Sequence, residues 1–235
     1  MRTAGRPVLL LAGAADGIGA HISRVFAEAG YDIVGLSRSD RPAVQLMQVV
    51  REAGGTYVHA VCDLTQPAEV AAALRPYVER IDVLVYNAAA LIMKPFAETT
   101  PAEFEHAWRV ASLGAFVTSQ IVLPHMVARG AGTLIFSGAT ASLRGGAKFA
   151  AFASAKFALR GLAQALSREY GPQGIHVAHV VLDGLIDAVQ TDQRFGPGSR
   201  RMDPDALARA YLYLATQHPS AWTHELDLRP AAERF

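Results

Sequence analysis

Short apolar runs alternate with amphipathic stretches along the whole chain. Residues 8–11 are uniformly apolar, and after a Gly-rich turn Ile18, Ile22, Val25, Phe26 and Ala29 recur at helical spacing. This pattern predicts a buried strand, a turn and a helix. Further strands are predicted at 31–36, 56–61, 83–85, 132–137, 174–181 and within 220–229, with helices at 42–53, 67–77, 100–127, 152–170 and 204–217. In the helix at 152–170, Phe152, Ala155, Leu159, Leu162 and Leu166 share one face. Strands and helices in such alternation predict an α/β fold. The expected form is a doubly wound, mostly parallel seven-stranded sheet with helices on both faces, a three-layer sandwich.

Composition narrows the class. A chain of 235 residues is of a size for one α/β domain with its own core, so residues 1–235 are read as a single unit. No apolar run reaches the length of a membrane span, and the N-terminus leads straight into the first strand without a secretory signal pattern. One cysteine, Cys62 in an apolar stretch, excludes an internal disulfide framework and reads as a buried thiol, with a reducing cytoplasm as the default location. A net charge of +1 without a basic run argues against a nucleic-acid partner. His176 and His179, three apart on a strand, point to opposite faces, and no other residues have metal-ligand spacing.

Three stretches carry candidate chemistry. Ala12-Gly13-Ala14-Ala15-Asp16-Gly17-Ile18-Gly19 is a Gly-x-x-x-Gly-x-Gly turn between a strand and a helix. Glycines there let backbone approach a pyrophosphate, and the helix N-terminus offers free N–H groups to it. The second strand ends in Ser37-Arg38: there is no acid to bind adenosine ribose hydroxyls, and the cation suits a 2′-phosphate. NADP(H) is therefore expected over NAD(H), the alternative for Arg38 being an exposed loop cation. In the third stretch a Gly-rich loop leads into Phe152-Ala-Ser-Ala-Lys156, which puts Phe152 and Lys156 one helical turn apart.

Together these stretches resemble the short-chain dehydrogenase/reductase family, and the resemblance covers essentially the whole chain. Gly132, Lys156, Gly161 and the Gly-Ile-His-Val of residues 174–177 fix its register. It implies a Rossmann-type nucleotide-dependent oxidoreductase with a Tyr-x-x-x-Lys pair, a Ser thirteen residues before the Tyr and an Asn on the preceding helix. Here Lys156 is kept, but Phe152, Ala139 and Ala111 stand at the other three positions. Cofactor contacts implied by the resemblance, added to Gly13, Asp16, Gly17, Ile18, Gly19, Ser37 and Arg38, are Asp63 and Leu64 at the adenine, Asn87 and Ala88 at the ribose, Lys156, and Gly184. Asp63 could equally cap the next helix, with Thr65 competing. Tyr86 and Ala89 depart from the family's Asn-Asn-Ala-Gly, and Tyr86 reads as a sheet-packing residue.

Asp183 and Ala188 replace a Pro and a Thr beside the implied nicotinamide site. Asp183 and Asp187 read first as loop solvation and capping. The segment 190–201, with Arg194, Arg200 and Arg201, stands where the family has its substrate lid. Ser137, Thr140, Ser142, Lys148, Asp183 and Asp187 are the nameable substitutes for the missing acid.

Two functions follow. The first is an atypical NADP(H)-dependent oxidoreductase acting on a small carbonyl or alcohol by a non-standard proton path. The second is a non-redox or inactive NADP(H)-binding protein, such as a sensor, a binding subunit, or a lyase or cyclase. The resemblance also implies a homodimer or homotetramer built on the helices at 100–127 and 152–170.

Overall fold

The computed structural model describes residues 5–196, 198 and 201–231. Strand β1 (Val8–Ala12) is buried at every position, as expected of a parallel strand covered on both faces. It is flanked by β2 (Asp32–Ser37) and β4 (Ile81–Tyr86). β3 (Tyr57–Val61) adds to β2, and β5 (Gly132–Ser137) and β6 (Ile175–Leu182) continue beyond β4. A two-stranded ribbon, β7 (Leu185–Ile186) with β8 (Arg201–Met202), stands apart, and β9 (Glu225–Leu228) completes the main sheet. The order is β3-β2-β1-β4-β5-β6-β9, with every pair parallel.

Alternate residues of each strand feed opposite layers. Leu9, Leu11, Val83, Val85 and Ile135 pack with α1 (Ile18–Glu28), α2 (Ala43–Glu52) and α8 (Pro204–Ala215). Leu10, Leu84, Leu134 and Phe136 pack with α3 (Pro67–Leu74), α5 (Gly114–Arg129) and α6 (Ala150–Tyr170). The remaining helices are α4 (Pro101–Trp108) and α7 (Val189–Phe195). The expected seven-stranded doubly wound sheet and its three layers are thus observed. Its chain order reverses between β1 and β4, and the carboxyl ends of these strands form the crevice where such sheets bind ligands.

Some elements depart from expectation. The helix foreseen at 100–127 is α4 and α5 joined by a π turn, Arg109–Leu113. It starts at a capping box, in which Thr100 Oγ1 accepts from Glu103 N and the Glu103 carboxylate accepts from Thr100 N. Gly130 ends it in the left-handed conformation. By length and composition alone Pro101–Arg129 could span a membrane, but 56% of its most apolar window is buried inside the fold. Neither Asp63 nor Thr65 caps α3, whose N-cap is Gln66; the Asp63 carboxylate accepts from Thr65 N instead. On α6 the buried face includes Lys156 and Ala163, while Phe152 is only half-buried. The lid segment contains α7 and β8. Arg194 donates to Leu91 O at 2.9 Å and Arg201 pairs with Asp192; Arg200 lies outside the described residues.

Candidate active site

At the switch point a cleft of about 290 Å³ is lined by the β1–α1 turn, the end of β2, the end of β3 and the end of β4. Gly13, Ser37, Arg38, Asp63, Leu64, Asn87 and Ala88 all line it, joined by Thr65, read from the sequence only as a possible helix cap, and by His106 and Val110, which the sequence did not single out. Gly13 holds φ +89°, and a Cβ there would fall 2.6 Å from Ala88 N. Only glycine lets these two backbones meet. Asp16, Gly17, Ile18 and Gly19 continue the turn into α1 without lining the cleft wall. The first turn of α1 carries neither a side-chain cap nor an acid, so no side chain stands between its N-terminus and a phosphate. Asp16 Oδ1 is buried and has no hydrogen-bond partner among the described residues. Ser37 Oγ donates to Ser39 O at 2.6 Å, and His59, 3.1 Å from the same hydroxyl, braces that turn. Arg38 stands exposed, with no hydrogen-bond partner for its side chain among the described residues. The backbone N–H of Thr65, and then the nearby Arg38, hold the Asp63 carboxyl below its usual range. This glycine turn, bare helix end and loop cation fit a dinucleotide.

Past that cleft, Lys156 is buried on α6 and donates to Ser137 O at 2.6 Å. Burial lowers its pKa to about 8, so the amine is still mostly protonated at pH 7. Its Nζ lies 5.7 Å from the centre of the Phe152 ring, within range of a cation–π contact. Phe152 and Ala139 are half-buried, so both have solvent-facing surface. Ala111 lies in the π turn and is shut away, packed with Ala107, Ala151 and Ala155 under Ile92. A methyl seam thus fills the position where the resemblance puts a relay amide. Tyr86 is fully buried, as a packing residue should be, and its hydroxyl donates to Val110 O at 2.5 Å within the π turn. Burial raises its pKa and removes it from consideration as an acid.

The nameable substitute acids fare unevenly. Ser137 Oγ is buried against Tyr211 Oη. Asp183 is not a solvated loop residue: it is buried, accepts from Thr140 Oγ1, and lies within 3.6 Å of Arg144 and Arg229. That network engages Thr140 as well. Asp187 and Lys148 are exposed, and Lys148 holds a left-handed φ of 71°. Gly184 packs under Met202 and Pro230, away from the cleft lining.

Ser142 belongs to a chain of contacts that sequence reading missed. Its Oγ accepts from Ala139 N at 3.1 Å and lies 3.2 Å from His179 Nε2; His179 Nδ1 lies 3.1 Å from Glu225 Oε2. Arg160 holds that carboxylate with two bonds, at 2.6 and 2.7 Å. The order Ser-His-Glu matches that of a nucleophilic triad, but Ser142 and His179 are both fully buried. Burial holds His179 down to about 4, so its ring is neutral. With Glu225 accepting from Nδ1–H, Nε2 accepts a hydrogen bond from the Ser142 hydroxyl. The chain therefore fixes the turn that carries Ala139. A Cβ on Gly138 would lie 2.3 Å from His179 Nε2, so glycine there is what admits the imidazole.

A match to the family described as short chain dehydrogenase spans residues 7–195. The chain belongs to that family. Among solved structures, a short-chain dehydrogenase from Rhodopseudomonas palustris is 38% identical and superposes with a TM-score of 0.83 over 95% of this chain and 98% of its own. A metagenomic short-chain oxidoreductase in complex with NADP is 26% identical, with a TM-score of 0.84 over 97% of this chain and 99% of its own. L-Xylulose reductase of Bos taurus is 35% identical, covering 75% of this chain and 70% of the relative. Within the short-chain dehydrogenase family, oxidoreductase chemistry on the Rossmann-like sheet is the common ground. Among the described residues, no cluster of three or more His, Cys, Asp or Glu could hold a metal.

Proposed function

We propose that this protein is an NADP(H)-dependent oxidoreductase of small carbonyl or alcohol compounds that works without a side-chain acid at the reacting oxygen. The observation that carries this reading is the cleft at the switch point, where Gly13, Arg38, Asp63, Asn87 and Ala88 meet beside a buried Lys156. A relative of known structure was solved with NADP. In this reading the α1 N-terminus and the Gly13 turn hold the phosphates, Arg38 the 2′-phosphate, Asp63 and Leu64 the adenine side, and Asn87, Ala88 and Lys156 the riboses. A bound nicotinamide supplies or accepts hydride. Phe152 turns an apolar ring to the reacting side, and Lys156 places a cation near the reacting oxygen. Phe152 has no proton to give, so the reduced oxygen takes its proton from solvent.

Calorimetry with NADPH, together with NADPH consumption against a carbonyl panel, tests this reading. Tight binding with no turnover on any carbonyl would shift the reading to a cofactor-binding protein that is not a reductase.

The loop cation makes a sharper claim. A hydrogen bond to a charged group contributes about 1.5–3 kcal/mol, so Arg38→Ala should cost about 10- to 100-fold in NADPH affinity and leave NADH affinity nearly unchanged. Equal binding of both cofactors by the unaltered protein would remove the basis for this assignment.

The protein should also self-associate through α4, α5 and α6, where Phe104, Trp108, Phe116 and Phe157 remain exposed. Large exposed apolar side chains on these three helices mark an interaction surface. Sedimentation at micromolar concentration should show a dimer or tetramer, and Trp108→Glu should shift it toward monomer. A monomeric unaltered protein would refute this.

A further inference from the structure

We propose that the half-buried surface around Phe152 takes a flat conjugated dione, a quinone, as the hydride acceptor. This rests on the NADP(H) reading above. Three observations point the same way. The first is aromatic surface: the rings of Phe149 and Phe152 stand 6.5 Å apart, tilted by 57°, and both residues are half-buried. Such rings offer faces and edges to another flat π system. The second is the frame around them. Lys94 N donates to Lys148 O, joining the segment after β4 to the loop before α6, and Arg194 ties α7 to Leu91 O. Those elements, with β7, leave Met93, Phe96, Leu185, Val189 and Phe195 exposed, apolar surface on the same tied segments.

The third observation is the missing acid. A simple ketone reduced without a proton donor must first become an alkoxide, whose basicity is near that of hydroxide, with a conjugate-acid pKa of about 15.7. A quinone leaves a phenolate, with a conjugate-acid pKa of about 10, which water protonates readily. The dione gains hydrogen and two electrons as hydride from the reduced nicotinamide, whose C4–H bond breaks. An O–H bond forms at one oxygen, the ring becomes aromatic, and the second oxygen is left as phenolate. The nicotinamide is oxidised and the dione reduced, and the phenolate takes its proton from water afterwards. Carbon at positions 111, 139 and 152 is no handicap for that reaction. The Lys156 ammonium beneath Phe152 favours the anionic product by charge alone.

The test uses 2-methyl-1,4-naphthoquinone and 1-tetralone, a ketone of matching size. NADPH binding is measured first by calorimetry, and its absence would overturn the cofactor reading rather than the choice of substrate. Binding of the naphthoquinone to the protein without cofactor is then compared with Phe152→Leu. The variant should bind about two- to tenfold more weakly, the range for an aromatic pair. With NADPH, after subtraction of the uncatalysed reaction, the quinone should turn over at least about 100-fold faster than tetralone, the lower range of what a positioned acid contributes. Its rate should also show no solvent isotope effect. If Phe152→Leu unfolds, as judged by circular dichroism, Phe149→Leu replaces it with the same expectation. Comparable rates for the two compounds, quinone affinity indifferent to both variants, or tight NADPH binding with no quinone reduction would each overturn the proposal.

Discussion

Phe152→Tyr combined with Ala139→Ser should reduce activated ketones with NADPH at least about tenfold faster than the unaltered protein, a conservative share of the ~10²–10⁴ contributed by a positioned acid. The geometry for the gain is already present. Phe152 is half-buried and its ring centre is 5.7 Å from Lys156 Nζ, so a tyrosine there would carry its hydroxyl into the pocket beside a cation. With a pKa of about 8 the lysine is mostly protonated at pH 7, and a neighbouring cation lowers a phenol's pKa. Ala139 sits on the turn fixed by Ser142 and His179, so a serine there enters a held backbone. The variant leaves Ala111 alone for a physical reason. That residue is buried among Ala107, Ala151 and Ala155, and an asparagine would overpack the seam while bringing an amide with no free partner. Ketone reduction by the unaltered protein at the double variant's rate would mean that another group already supplies the proton.

How much of this was legible in the sequence depends on how local each feature is. The strands were, because burial on both faces makes uninterrupted apolar runs such as that of β1. The nucleotide turn was too, since Gly13 and Gly17 are required by positive φ angles set within a few residues. The π turn at Arg109–Leu113 was not: helical periodicity runs on through 100–127, and one widened turn shifts phase too little to read. The Ser142–His179–Glu225–Arg160 chain was invisible for another reason. Its links join residues 37, 46 and 65 positions apart, on the turn after β5, β6, β9 and α6, and only the sheet order brings them together. Asp183 was misread for the same reason, because Thr140, Arg144 and Arg229 come from elsewhere in the chain. The resemblance marked positions 111, 139 and 152; that Ala111 is sealed while Ala139 and Phe152 keep open surface needed the packing.

Lys156→Met should separate stability from cofactor binding. A buried ammonium is costly, and here the cost shows as a pKa held down to about 8 by burial, against about 10.4 in an unfolded chain. Between those values the unfolded chain keeps the proton that the folded protein has released. Stability contributed by this group therefore rises with pH across that window and is lost as pH falls through 8. Below 8 the penalty is fully present, about 3 kcal/mol at 1.36 kcal/mol per pKa unit. Methionine has a similar length and no charge, so the cofactor-free variant should be stabilised at pH 7. The lost hydrogen bond to Ser137 O offsets about 1 kcal/mol of that, leaving a net gain of about 2 kcal/mol. Urea denaturation at pH 7 and pH 9 should show the unaltered protein gaining on the variant as pH rises, since only lysine titrates in that range at this position. NADPH affinity should move the other way and fall at least about tenfold, the loss of one charged hydrogen bond to the cofactor. A variant less stable than the unaltered protein at both pH values would show that Lys156 earns its place through packing and its bond to Ser137. A more stable variant with undiminished NADPH binding would instead remove Lys156 from the cofactor site.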